Sequence, residues 1–321
     1  MSDVNQSESV TRLPGGYYTR PATEADAESI YRVIHDYDVS IVGYSDFARD
    51  DLLEFFGEEH FDIDRDSCLV MDQEGRAAGY TMLWGRQPRR LYSAFAIVHP
   101  EHRGRGIGTR LLGFLEGRMP ELVADDDGAT LWNWVDLEDE AARRMVEAAG
   151  FSEARRHYTM IANLAGVDHE SSAPERISIR TCNEDDAELV HSLLEETFAE
   201  HWGFTPQSFE QWRKQSYERS DTDLSMWFLA LEGDEPVGFL IGRAMDGLGW
   251  VGDLGVRKAH RRRGVATALL RRSFSDFKRS GFSKVGLGVD ASNETRAVRV
   301  YENLGMKAER VYLTYEKLYR R

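Results

Sequence analysis

Val98–Leu112 reads VHPEHRGRGIGTRLL, and Val256–Leu270 reads VRKAHRRRGVATALL. Each stretch leaves an apolar run, crosses a short basic segment containing glycine, and resumes as an apolar pattern of helical spacing. Glycine lets the backbone turn so that successive N–H groups point inward, and the helix that follows adds about half a positive charge at its first turn. Strand, glycine-bearing loop and helix in this order suit a pyrophosphate. Neither loop carries a Walker lysine, and Leu111 stands where a GxGxxG motif starting at Gly106 needs its third glycine. Nucleotide hydrolysis and dinucleotide binding therefore lose ground.

The two loops belong to a longer internal repeat. Arg20–Glu28 (RPATEADAE) parallels Arg180–Glu188 (RTCNEDDAE), Ala78-Gly79-Tyr80 parallels Val237-Gly238-Phe239, and Ala149-Gly150-Phe151 parallels Leu304-Gly305-Met306. The matches are collinear with slowly drifting separations, as duplication with small insertions requires. Leu164–Arg176 (LAGVDHESSAPER) is Ser-, Pro- and charge-rich and reads as a linker. The expected organisation is a first domain over 1–163, a linker over 164–176 and a second domain over 177–321.

Within each half, helical spacing at Asp26–Ile34 and Asp186–Phe198 precedes apolar runs at Cys68–Met71 and Trp227–Leu231. Turn residues then lead into strands Ala77–Trp84 and Pro236–Arg243, and next into strands Tyr92–Val98 and Trp250–Val256. Amphipathic helices follow at Thr109–Arg118 and Ala266–Arg279, then a strand, a helix ending in Gly150 or Gly305, and a closing strand. The fold class expected is α/β, two tandem domains, each a mixed, largely antiparallel sheet flanked by helices.

Composition narrows the partners. Of 321 residues 55 are acidic and 40 basic, giving a formal charge of -15, which opposes general binding to nucleic acid or an anionic membrane. Any anion site must be local. No apolar run nears the roughly 20 residues that span a bilayer. Cys68 and Cys182 are the two cysteines, far apart and in no paired spacing, which fits a reducing cytoplasm. The nine histidines show no HExxH spacing, and the closest pair, His99 and His102, lies in a charged loop and reads as surface or structural. No metal site is expected.

The loops fit Arg/Gln-x-x-Gly-x-Gly/Ala, as Arg103-x-x-Gly106-x-Gly108 and Arg261-x-x-Gly264-x-Ala266. Here the chain resembles the GNAT acetyltransferase superfamily, over nearly all of both halves. The resemblance implies acetyl-CoA as acyl donor, with the pyrophosphate held by backbone amides of Arg103, Gly104, Arg105, Gly106, Ile107 and Gly108 in one half. In the other it implies Arg261, Arg262, Arg263, Gly264, Val265, Ala266 and Thr267. It also implies a splayed strand whose backbone meets the pantetheine arm, placing Val98 in the first half and Leu254 and Val256 in the second. Val256 is the candidate N–H for the thioester carbonyl. A solvated basic loop remains the alternative for the arginines, and Lys258, Arg271 and Arg272 compete for the 3′-phosphate.

Acyl transfer from a thioester to an amine needs a proton acceptor, a donor for the developing oxyanion and a proton for the thiolate. Tyr301 sits four residues before Gly305, sharing a helical face with Asn293 and Ala297, where the family places its general acid. Asn293 matches an asparagine beside the CoA arm and reads equally as an N-cap. Asp253 is a carboxylate in an apolar strand and suits a general base, or an aspartate with a structural partner. At the matching places the first half has Val146, Glu138 and Phe95. It is expected to keep a cofactor loop without the chemistry.

The resemblance puts the acceptor near Glu195–Trp212, where Phe198, Trp202, Phe204, Phe209 and Trp212 combine with Glu195, Glu196 and Glu200 as a cationic amine with an apolar body requires. Core aromatics and a wet glutamate face are the alternative. The resemblance implies an N-acetyltransferase for a small-molecule amine. A non-catalytic acyl-CoA sensor or scaffold, and a protein N-terminal or lysine acetyltransferase, stand as the competing readings.

Overall fold

A computed structural model describes residues 11–320 apart from positions 46, 48, 58–60, 87–89, 124–127, 166–172, 221, 246 and 293–296. The elements run β1 (Thr11–Arg12), β2 (Tyr18–Arg20), α1 (Ala27–Val42), α2 (Arg49–Phe56), α3 (Ile63–Asp66), β3 (Ser67–Met71), β4 (Ala77–Arg86), β5 (Leu91–Val98), α4 (Ile107–Leu122), β6 (Ala129–Asp136) and α5 (Glu140–Ala148). They continue with β7 (Ser152–Asn163), β8 (Ile177–Thr181), α6 (Ala187–Phe198), α7 (Phe209–Trp212), β9 (Trp227–Glu232), β10 (Glu235–Met245), β11 (Leu248–Val256), α8 (Val265–Arg279), β12 (Lys284–Asp290), α9 (Ala297–Glu302) and β13 (Lys307–Tyr319).

Residues up to Arg155 join Tyr312 onwards in one unit, and Arg156–Val311 form the other. In the first, strands lie in the order β1-β2-β3-β4-β5-β6 and then the Tyr312–Tyr319 part of β13; in the second, the His157–Asn163 part of β7 leads into β12-β11-β10-β9-β8. Within each unit the described pairs are antiparallel except β5 with β6 and β11 with β12. The expected limits of 1–163 and 177–321 thus need correction at both ends. The strand after α5 completes the second sheet, and the strand after α9 completes the first.

The repeated RPATEAD and RTCNEDD openings have a shared physical purpose. Arg20 donates to both carboxylate oxygens of Asp26 at 2.7 and 2.6 Å, and Arg180 does the same to Asp186 at 2.6 Å each. Each aspartate also caps its turn, through Thr23 or Asn183. The arginine contacts hold both carboxyls below the usual carboxylate range, and the strand is fixed to the start of the helix.

The second sheet packs between two helices. Val265, Ala268, Leu269, Ser273 and Phe277 recur at helical spacing on α8 and are buried with Val251 and Leu270 in one apolar cluster or beside it. Burying a side chain such as Phe277 contributes about 1.5–3 kcal/mol. A Cβ on Gly249 would strike the Phe277 ring, whereas one on Gly255 would strike Thr197 of α6. β11 therefore turns different residues to its two helices.

Candidate active site

The free edge of β11 is the centre of the second unit. β11 pairs with β12 in parallel only from Gly249↔Val285 to Val251↔Leu287, whereas β12 goes on pairing with β7 as far as Asp290. Beyond Val251 the two parallel strands part. A bulge accompanies the parting: Ile241 faces Asp253 and Gly242 faces Val251, leaving Gly252 as the extra residue. β11 can then show Gly249 and Val251 to α8 and, past the bulge, Asp253 and Gly255 to α6. Gly252–Val256 keeps one edge on β10 and offers the polar groups of the other to an extended guest. A crevice beyond the C-terminal ends of parallel strands is where open α/β sheets place their ligands.

The loop after β11 has the backbone form of an anion cradle. Arg262 has φ 63° and Gly264, the N-cap of α8, has φ 83°; Gly104 at 75° and Gly106 at 78° repeat this in the first unit. Left-handed residues at alternate positions curl the peptide so that its N–H groups converge. Arginine at such a φ is strained by of order 1 kcal/mol or more, tolerated only where the surroundings fix it.

The side chains divide the work differently from the sequence expectation. Arg261 donates from Nε to the Val256 carbonyl at 3.1 Å and from its terminal nitrogen to the Thr197 carbonyl at 3.3 Å, tying the strand end to α6. Arg263 is held by Glu232, Lys258 pairs with Glu200 at 2.8 Å, and Arg272 pairs with Asp276 at 2.8 Å. Arg262 and Arg271 have no acidic partner among the described residues. They are the cations of the cluster left for a phosphate.

Asp253 is half-buried; burial pushes its carboxyl above the usual range and Arg243 pulls the other way. The Arg243 guanidinium nitrogens lie 3.3 Å from where a Cβ on the adjacent Gly252 would stand. Tyr301, on α9, is 8% exposed, and burial pushes its hydroxyl up to about 12. It is therefore protonated at neutral pH. Val256 ends β11 opposite Gly238, with Leu254 opposite Leu240. Asn293 lies outside the described residues.

The segment Glu195–Trp212 departs from its expected pocket role in part. Trp212 is 1% exposed and belongs to the core, among the rings of His191, Phe209, Tyr217 and Trp227. Glu196 bonds Arg257 at 3.0 Å, Glu200 bonds Lys258, and Glu195 accepts from the Gln207 N–H at 3.0 Å. Glu196 and Glu200 brace the end of α6 and the residues after it against the start of the loop. Phe198, Trp202 and Phe204 remain half-buried. Sequence reasoning missed His201, whose ring stands 4.5 Å from Phe198 and whose pKa is lowered by burial and by Arg261. It also missed Arg243, signalled only by being a charge in an apolar strand.

The first unit keeps the loop and shortens the crevice, since only Ala96–Val98 of β5 extend past its last pair with β6. β5 pairs with β6 over five positions, Leu91↔Thr130 to Phe95↔Trp134, and β4 meets β5 without a bulge. Phe95 sits among Phe47, Tyr80 and Trp84, with ring centroids 6.5, 6.0 and 6.1 Å away. Val146, matching Tyr301, is 1% exposed in the core. Arg103 reaches Ser40 and lies 5.2 Å from the centroid of the Tyr37 ring, and Arg105 donates to the Tyr17 hydroxyl.

Comparison with known proteins adds to this geometry. The acetyltransferase (GNAT) family matches over residues 25–151 and again over 187–306. A mycothiol acetyltransferase of Streptomyces scabiei (strain 87.22) is 31% identical over 246 residues, covering 74% of this chain and 73% of that protein. Among solved structures, a GCN5-related N-acetyltransferase from Sphaerobacter thermophilus superposes with a TM-score of 0.78 at 30% identity, covering 96% of this chain and 98% of the other. A tandem GNAT protein from the clavulanic acid biosynthesis pathway shares the fold with a TM-score of 0.71 at 14% identity, covering 94% and 98%.

Proposed function

The chain belongs to the acetyltransferase (GNAT) family, and on that premise we propose that its second unit moves an acetyl group from acetyl-CoA to the primary amine of a small molecule. The observation that carries the reading is the parting of β11 from β12 directly beside Asp253, above a loop of alternating left-handed residues. The loop amides and Arg262 would take the phosphates, and the open edge of β11 the pantetheine amides. The amine nitrogen attacks the thioester carbonyl while Asp253 accepts its proton. The Val256 N–H holds the oxyanion, and Tyr301 protonates the thiolate as the carbon–sulfur bond breaks. The first unit, with Phe95 and Val146 in these places, binds without turnover.

A thiol-release assay on the full chain with acetyl-CoA and a panel of small amines, aminothiols and lysine peptides tests the reading. CoA release with a small amine, and much less with peptides, is expected. Release with peptides alone would move the acceptor to protein, and tight acetyl-CoA binding without release from any amine would make the chain a sensor.

Paired glycine substitutions separate the units. In Gly264→Val a β-branched side chain is forced to a left-handed φ, and its Cβ would stand 3.3 Å from Pro174. The acetyl-CoA dissociation constant at the second unit should rise at least tenfold, about 1.4 kcal/mol. Gly106→Val imposes the same strain on the first loop and should leave turnover per folded molecule intact. Calorimetry and steady-state rates read the two effects; equal loss of turnover in both variants would contradict the assignment.

A further inference from the structure

In each unit the loop is tied back to the helix that begins the domain, and both residues of the tie differ. In the second unit Arg257 donates to Glu196 at 3.0 Å; at the matching positions of the first, His99 Nε2 faces an Asp36 carboxylate oxygen at 3.1 Å. Two residues on, Glu101 stands where the second unit has Ala259, while His102 matches His260. The first loop thus holds two donor side chains that its copy lacks. A ligating atom from each of His99, Glu101 and His102 lies within 4.8 Å of the other two.

Both imidazoles are oriented from behind. Asp36 engages Nε2 of His99, and Nδ1 accepts from the Glu101 N–H at 3.3 Å, a long hydrogen bond that a cation on Nδ1 would replace. The Tyr17 hydroxyl, which accepts from Arg105, engages Nδ1 of His102 at 2.8 Å and leaves Nε2. A cation on Nε2 selects the tautomer in which Nδ1–H donates to the Tyr17 oxygen, which has a second lone pair for it. A histidine with one nitrogen held by a carboxylate or hydroxyl and the other turned to a shared point is the arrangement that fixes ring orientation in metal sites.

We propose that His99 Nδ1, the Glu101 carboxylate and His102 Nε2 bind one zinc-like divalent cation in the first unit, with Asp36 and Tyr17 as outer partners. Two nitrogens and one oxygen suit zinc, cobalt or nickel rather than magnesium or calcium, and water completes the coordination. The second unit, with Arg257 and Ala259, has lost two of the three ligands. This revises the expectation of no metal site, which rested on the absence of a helical ligand spacing; here a tight turn brings the i and i+3 histidines together.

The test uses the full chain, stripped with chelator and titrated with Co(II) by visible absorption, then with Zn(II) against a chromophoric chelator. One equivalent is expected in the wild type. His99→Arg and Glu101→Ala copy the second unit, and each should weaken binding by more than about tenfold, the smallest loss typical of even an outer-shell change. His99→Arg keeps a tie to Asp36 as Arg257 does to Glu196, so its metal-free thermal midpoint should stay close to wild type. No uptake of either metal by the wild type, or uptake undiminished in either variant, overturns the site.

Discussion

Tyr301→Phe is expected to lower kcat by about 10²- to 10⁴-fold, the range typical of general acid catalysis, with little change in the Michaelis constant for acetyl-CoA. The substitution keeps the ring and its place in the core beside Leu304 and Met306, so the fold should persist. What it removes is a hydroxyl whose pKa, pushed up to about 12 by burial, keeps it protonated through the working range. A departing thiolate needs that proton, and phenylalanine has none to give. Val146→Tyr in the first unit is the matched control and should restore nothing, because Phe95 leaves that unit without a base. Single-turnover rates decide: retention of more than about half of wild-type kcat where chemistry limits would make Tyr301 a packing residue.

Asp253→Asn should cost a comparable factor in kcat and, unlike Tyr301→Phe, should also raise stability at neutral pH. Burial lifts the folded-state pKa of Asp253 above its unfolded value of 3.8. A carboxyl shifted upward favours folding fully below the unfolded pKa, and that contribution is lost as pH rises through the folded pKa. Above that point the wild type carries the cost of a desolvated charge, which asparagine does not. The same shift fixes the acid limb of the wild-type kcat/KM profile, which should fall as pH drops through the raised pKa. Thermal melts at neutral and acidic pH check the first sign and a pH–rate profile the second; a variant less stable than wild type at neutral pH would contradict it.

The phosphate-type loops and their helices were legible because their signals are local: glycine at a turn, and apolar residues at helical spacing directly after it. Asp253 and Tyr301 could be singled out by type and position, and the bulge beside Asp253 left a trace only as Gly252. The strand exchange was not legible. β7 and β13 are copies of one strand, with Arg155 and Thr159 matching Arg310 and Thr314, and either sequence suits either sheet edge. Thr159 is paired with Gly288 and Thr314 with Trp134, both buried, so at this matched position the side chain does not distinguish the partners. The bracing of Glu196 and Glu200 by Arg257 and Lys258 was equally hidden, since those pairs join positions 61 and 58 residues apart.

The crossed strands also set an order of events on the ribosome. β7 is made before every other strand of its sheet, so the second unit can close as soon as β12 emerges. The first sheet instead waits for Tyr312–Tyr319, its partner for β6, until the whole second unit has been translated. At ordinary synthesis rates that delay is roughly ten to thirty seconds. Throughout it the outer edge of β6, with Leu131, Trp132 and Val135, has no strand beside it, and an unpaired strand edge is a template for wrong partners. The half that is synthesised first is the half that finishes last, and it spends the interval as the segment of the nascent chain most in need of a chaperone.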